Sequence, residues 1–256
     1  TLDAIFAEKV QILRDGRPAV VMNPVGWDSS RTEEAIRTSG IDPSPLLLED
    51  RDFGVEDQEI WIGTTRLAKN WVPFLGSHQL RNAACALTAA TTWLGAPSSE
   101  QVQEIARSMS RARWPGRMSR VQFDGSEVLV DGAHNLDGAQ AAAAWLGETF
   151  PDGVSLVFGA MADKPVARML SILSDRAKRI WLVEVNNPRL CGQTELEAHA
   201  HTAGLTRAEL GRSLRGALEE ALAGESQVVV VGSLYLVGEV YSLAGLDAEA
   251  IRVIES

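Results

Sequence analysis

The sequence predicts an α/β protein whose larger, later part is a mostly parallel sheet with helices on both faces. Three observations carry that expectation. From residue 118 onward strand and helix patterns alternate in one order. Several of the strands, such as VSLVF and QVVVV, are almost wholly apolar, as expected when helices cover both faces of a parallel sheet. The run RARWPGRMS, with Pro115 and Gly116, interrupts the regular pattern and marks a boundary between two domains. The predicted division is residues 1–113, a linker at 114–117, and residues 118–256.

Residues 1–14 read as a short amphipathic helix, with Leu2, Ile5, Phe6, Val10 and Leu13 near three-to-four spacing before the turn Asp15-Gly16. AVVM (19–22) reads as a strand. SRTEEAIRTSG has a serine or threonine start, early glutamates and a closing Gly40, the end signals of a helix. Between 46 and 75, short apolar runs separated by turn residues suggest small antiparallel strands. His78 to Leu94 is an alanine-rich helix, and 99–110 a second helix with a wet and a dry side.

Beyond the linker, strands are expected at 118–123, 127–131, 154–158, 179–185 and 227–231. Helices are expected at about 137–149, 165–175, 195–203, 207–223 and 235–243. Thr194 with Glu197 and Thr206 with Glu209 have capping-box spacing, so both pairs read as helix starts.

Composition narrows the function. With 256 residues, 45% hydrophobic and 23% charged, the chain can bury one large core or two modest ones. A formal charge of -10 and a pI near 5.0 give no general attraction to nucleic acid or anionic membranes. No apolar run approaches the roughly 20 residues needed to span a bilayer, and TLDAIFAEKV has none of the blocks of a signal peptide. Two distant cysteines, Cys85 and Cys191, suggest neither a disulfide framework nor a cysteine metal site. A reducing, cytoplasmic setting is expected, with no nucleic-acid or membrane partner.

Ligands of open parallel sheets collect at the carboxyl ends of the strands. Three small-residue loops leave such ends: DGAHN after VLV, GAMADK after LVF, and GSLY after VVVV. Each precedes a helix whose amino end favours negative charge, so a shared cleft is expected. Asp131, His134 and Asn135 equally suit a capped strand-to-helix turn, Asp163 and Lys164 a helix start before Pro165, and Gly232-Ser233 a tight turn. Arg111, Arg113, Arg117 and Arg120 form a dense basic cluster suited to two-point phosphate binding. His199 and His201 diverge by about 200° on a helix, so joint chelation is not expected. The seven tryptophans are dispersed and read as packing residues.

The segments GSHQLRNAACAL (76–87), WPGRMS (114–119), DGAHNLDGA (131–139), FGAMADK (158–164) and GSLYLVGEV (232–240) resemble, in order, the signature segments of the folylpolyglutamate synthase and dihydrofolate synthase family of Mur ligases. IFAEKVQIL is similar to the family's E-K-A-G-I segment, with Val10 and Gln11 where Ala and Gly are usual. The resemblance implies a central ATPase domain hinged to a Rossmann-like domain, with ATP and substrates held between them. It implies an ATP-dependent ligase, acting with Mg2+, that activates a folate or dihydropteroate carboxylate as an acyl phosphate for attack by the amino group of L-glutamate. By the same resemblance Lys9 matches a lysine that is carbamylated near a metal, Asn82 an adenine-contacting amide, and Arg117 a phosphate-contacting arginine. Asp131 and His134 match the pair that reaches ATP and glutamate, and Ser233 and Tyr235 match residues on the glutamate side.

No G-x-x-x-x-G-K-[ST] loop occurs in these residues. The chain opens at the family's lysine segment, so the expectation is the C-terminal portion of a longer ligase, a monomer, and inactive by itself. Two alternatives stay open: a Mur-type ligase for another amino acid and carboxylate, and a non-catalytic nucleotide-binding or scaffolding protein.

Overall fold

The computed structural model describes residues 1–246 apart from 75, 96–97, 113, 185–186, 188, 207, 212 and 225. The chain divides into two compact units. One comprises Thr1–Pro73 with Ser77–Ala112, the other Phe74–Gly76 with Arg113–Ser256.

The first unit begins with α1 (Leu2–Lys9), capped by the Thr1 side chain and tightened into a 3-10 turn over Val10–Ile12. The helix expected across residues 1–14 therefore stops early, and its apolar residues divide. Val10 is buried with Ile36 and Leu48, Phe6 and Leu13 pack against them, whereas Leu2, Ile5 and Ile12 are exposed. Next come β1 (Ala19–Val21), α2 (Ser29–Thr38) and β2 (Leu46–Leu48). Asp28, not a serine or threonine, caps α2, its carboxylate accepting the Arg31 N–H at 2.8 Å.

β2 pairs with β1 in parallel, Ala19 opposite Leu46, which corrects the antiparallel reading of its segment. The pairing is parallel because α2 returns the chain to the same end of the strand, as a crossover must. The antiparallel expectation holds for β3 (Phe53–Glu56), β4 (Glu59–Ile62) and β5 (Thr65–Ala68). The helices α3 (Ser77–Trp93) and α4 (Ser99–Met109) follow, α4 opened by a complete capping box of Ser98 and Gln101.

The second unit is built on a six-stranded sheet. Its strands are β6 (Ser119–Phe123), β7 (Ser126–Asp131), β8 (Val154–Phe158), β9 (Ala177–Val183), β10 (Glu209–Gly211) and β11 (Val228–Val231). They lie in the order β10-β9-β8-β11-β7-β6, parallel except for the β6–β7 hairpin. Five helices connect or follow them: α5 (Leu136–Thr149), α6 (Val166–Ser174), α7 (Gln193–Thr202), α8 (Leu214–Leu222) and α9 (Leu234–Leu243).

Alternation along the strands explains the two cores. On β11, Val229 and Val231 join the cluster with α5, α6 and α7, while Val228 and Val230 join the opposite cluster with α8 and α9. Successive strand residues point to opposite faces, so an all-valine strand is the consequence of cover on both sides. Trp181 is fully buried on the second face, its indole N–H donating to Glu220 at 3.1 Å. Trp93 and Trp114 are exposed.

The helix expected over 207–223 is two elements. Glu209 lies in β10 against Trp181, so Thr206 and Glu209 form no capping box, and α8 starts later at its cap Ser213. Edge pairing with an existing strand outweighs a four-residue capping pattern because it satisfies a run of backbone groups at once. Thr194 is likewise inside α7. That helix begins after Gly192, whose N–H donates to Glu195 at 3.0 Å, half of a capping box since glycine has no side chain.

Candidate active site

The turn after β7 is organised by one carboxylate. Asp131 is 6% exposed, and its two oxygens accept the Ala133 N–H at 2.8 Å and the Met118 N–H at 3.0 Å. The second bond reaches across to the WPGRMS segment, and the Gly132 N–H donates to the Gly116 carbonyl at 2.7 Å beside it. Gly116 in turn donates to Ser119 Oγ at 3.0 Å and to the Tyr241 hydroxyl at 3.3 Å. The Arg117 and Asp131 turns are thus stitched together within the second unit. Burial pushes the Asp131 carboxyl above its ordinary value of 3.8, and the two N–H donors, Arg117 and His134 oppose that rise.

His134 is half-buried, with Nδ1 2.8 Å from the Gly132 carbonyl. A carbonyl can only accept, so Nδ1 carries the hydrogen and Nε2 is the ring's acceptor when neutral. Asn135 caps α5 by accepting the Gly138 N–H at 2.8 Å. The capped-turn reading is met: Asp131 and Asn135 accept backbone N–H groups, and His134 is satisfied by the Gly132 carbonyl.

Ser233 is fully buried and caps α9, its Oγ accepting the Tyr235 N–H at 3.1 Å. Tyr235 is 44% exposed, its hydroxyl 3.4 Å from Arg189 Nη1. The loops converge through glycine: a Cβ on Gly232 would lie 2.6 Å from the Gly159 carbonyl, and one on Gly132 would lie 2.3 Å from Leu234 Cδ2. At Gly232, where the obstacle is backbone, only hydrogen allows the loops after β8 and β11 to meet at the carboxyl ends of their strands. Arg189 was missed in the sequence, although it lies just after β9; its segment is fixed by bonds from Ala162 N–H to the Arg189 carbonyl and from Cys191 N–H to the Ala160 carbonyl.

The basic cluster does not act as one group. Arg120 is paired with Glu127 at 3.0 and 3.1 Å, Arg117 sits beside Asp131, Arg111 is exposed on the first unit, and Arg113 lies outside the described residues. In the first unit Asn82 is exposed on α3, its Nδ2 donating to Gln79 at 3.1 Å. Lys9 ends α1 with a side chain 73% exposed and 3.3 Å from Glu8.

Among the described residues no group of three His, Cys, Asp or Glu could hold a metal ion. Cys85 and Cys191 are both free thiols. None of the described helices is long and apolar enough to cross a membrane.

Residues 116–234 match the family described as Mur ligase, glutamate ligase domain. Folylpolyglutamate synthase of Lacticaseibacillus casei is 29% identical over 94% of this chain, which spans 57% of that protein. The structure of Mycobacterium tuberculosis folylpolyglutamate synthase complexed with ADP superposes with a TM-score of 0.79 at 23% identity, over 96% of this chain and 59% of that one. Bifunctional folylpolyglutamate synthase/dihydrofolate synthase from Yersinia pestis, complexed with AMPPNP and a Mn ion, gives 0.76 at 23% identity, over 95% and 57%. Residues 116–234 are thus similar to a Mur ligase glutamate ligase domain, and the relatives that the chain matches include folylpolyglutamate and dihydrofolate synthases.

Proposed function

We propose that these residues serve an ATP-dependent ligase that joins L-glutamate to a carboxylate of folate or dihydropteroate. The observation that carries the reading is the Asp131 carboxylate, which binds the Arg117 and His134 turns into one rigid unit at the carboxyl ends of a parallel sheet. Its homologues' names supply the substrates, and the ADP and AMPPNP held by two structural relatives supply the nucleotide.

In this reading Asn82 contacts the adenine, Arg117 a phosphate, and Asp131 and His134 reach ATP and the incoming amino acid, with Ser233 and Tyr235 on the glutamate side. The folate carboxylate oxygen attacks the γ-phosphorus of ATP and ADP leaves. The glutamate nitrogen then attacks the acyl carbon, phosphate leaves, and nitrogen gives up a proton. Neutral His134 is suited to accept that proton at Nε2, because Nδ1–H is already spent on Gly132. Mg2+ bound with ATP would neutralise phosphate charge, although the described residues offer no cluster of three His, Cys, Asp or Glu to hold it.

The reading also holds that these 256 residues bind nucleotide without turning it over, since no G-x-x-x-x-G-K-[ST] loop occurs in them. Calorimetric titration with ADP, on the chain and on Arg117→Ala, tests the binding; a coupled assay for glutamate-dependent ADP release tests the turnover. Unchanged ADP affinity in Arg117→Ala overturns that residue's role. Glutamate-dependent ADP release by the 256 residues overturns the second claim.

A further inference from the structure

The first unit contains a second buried carboxylate, Glu49, just beyond the end of β2 and only 2% exposed. Arg81 of α3 donates to both of its oxygens, through Nε and Nη2 at 2.6 Å each, and Nη2 also donates to the Asn23 carbonyl at 3.1 Å. The Asn23 N–H, just beyond β1, donates to Glu49 Oε2 at 2.9 Å, while Asn23 Nδ2 donates to the Glu49 carbonyl at 2.9 Å. Thr32 of α2 completes the set, its hydroxyl donating to Asn23 Oδ1 at 2.8 Å. One carboxylate therefore ties the ends of both parallel strands to α3.

Such a device is a poor way to gain stability. Taking the Glu49 carboxylate out of water costs much of what its attraction to the part-exposed Arg81 returns. What it supplies is direction: a bidentate arginine bond fixes distance and orientation together. Arg81 and His78 line a cavity of about 500 Å³ with Trp27, Asp50 and Val55, and Asn82 is the residue after Arg81. His78 and Asn82, four apart, share a helix face.

We propose that Glu49 is a positioning residue: by clamping Arg81 it fixes the first turns of α3 and hence the direction in which His78 and Asn82 are presented to a nucleotide base. The base contact rests on the function proposed above, whereas the clamp itself does not. Glu49 touches neither substrate nor reacting atom in this scheme.

The test compares Glu49→Gln and Arg81→Lys with Thr32→Val, in the 256-residue chain. Thr32→Val removes the bond to the Asn23 side chain and leaves the Arg81–Glu49 pair in place, so it reports what general loss of stability does. Nitrogen-15 relaxation of residues 78–82 is measured in the free proteins, and ADP affinity by calorimetry. Line broadening confined to 78–82 in Glu49→Gln and Arg81→Lys, with roughly tenfold weaker ADP binding, is expected. Thr32→Val should lower the melting temperature and leave both readouts in place. Should residues 78–82 relax as in the parent, or Thr32→Val match Glu49→Gln, the clamp is overturned. If the parent binds no ADP, the nucleotide reading falls while relaxation in the free chain still decides the clamp. If Glu49→Gln fails to fold, Arg81→Lys, which keeps the charge but loses the bidentate geometry, decides it.

Discussion

Asp131 Oδ2 accepts the Met118 backbone N–H at 3.0 Å, joining the end of one strand to the turn that precedes its hairpin partner. The other oxygen holds Ala133 at 2.8 Å, so a single side chain sets the geometry of both turns.

Replacing Asp131 with Asn should therefore destabilise the second unit. The amide keeps one accepting oxygen and turns an N–H2 group toward a backbone donor, leaving it unsatisfied in a buried place. The expected loss at neutral pH is about 1 to 3 kcal/mol, read by thermal or urea unfolding. An unchanged midpoint would show that the two bonds do not hold the turns.

The same substitution has a pH signature. Burial raises the folded pKa of Asp131 above 3.8, so the folded state holds the proton more tightly than the unfolded state does. The stability this contributes is fully present below 3.8 and is lost as pH rises through the folded pKa. Asn does not titrate, so the stability gap between parent and Asp131→Asn should narrow as pH rises across that window. Urea unfolding at a series of pH values checks it, and a gap that widens contradicts the sign.

Two glycines should respond differently to alanine. Gly232 has φ of 125° and its new Cβ would meet a backbone carbonyl at 2.6 Å, where nothing can move aside. At Gly132 the nearest atom, at 2.3 Å, is the far end of the Leu234 side chain, half-exposed and free to rotate. Gly232→Ala is expected to cost about 2 kcal/mol or more, and Gly132→Ala clearly less. Parallel melts of the two variants decide the order.

Ser233→Ala removes the cap of α9 and should cost about 1 kcal/mol in unfolding experiments. A variant as stable as the parent would show that the hydroxyl does not hold the start of this helix.

The sequence by itself determined the alternation of strands and helices after residue 118, the all-apolar strands, and the three loops rich in small residues. Those features are local or periodic, and the hydrophobic burial they encode does not depend on which strand lies next to which. It also placed Asp131 and His134 at the end of a buried strand, where the structure has them.

Only the tertiary structure decided how the pieces meet. The parallel pairing of Leu46–Leu48 with Ala19–Val21, and the strand at Glu209 inside an expected helix, depend on partners far along the chain. So does the Arg81–Glu49–Asn23 clamp. Each is a hydrogen bond or ion pair whose geometry exists only once the backbone has closed, and side-chain polarity alone does not say which neighbour will satisfy it.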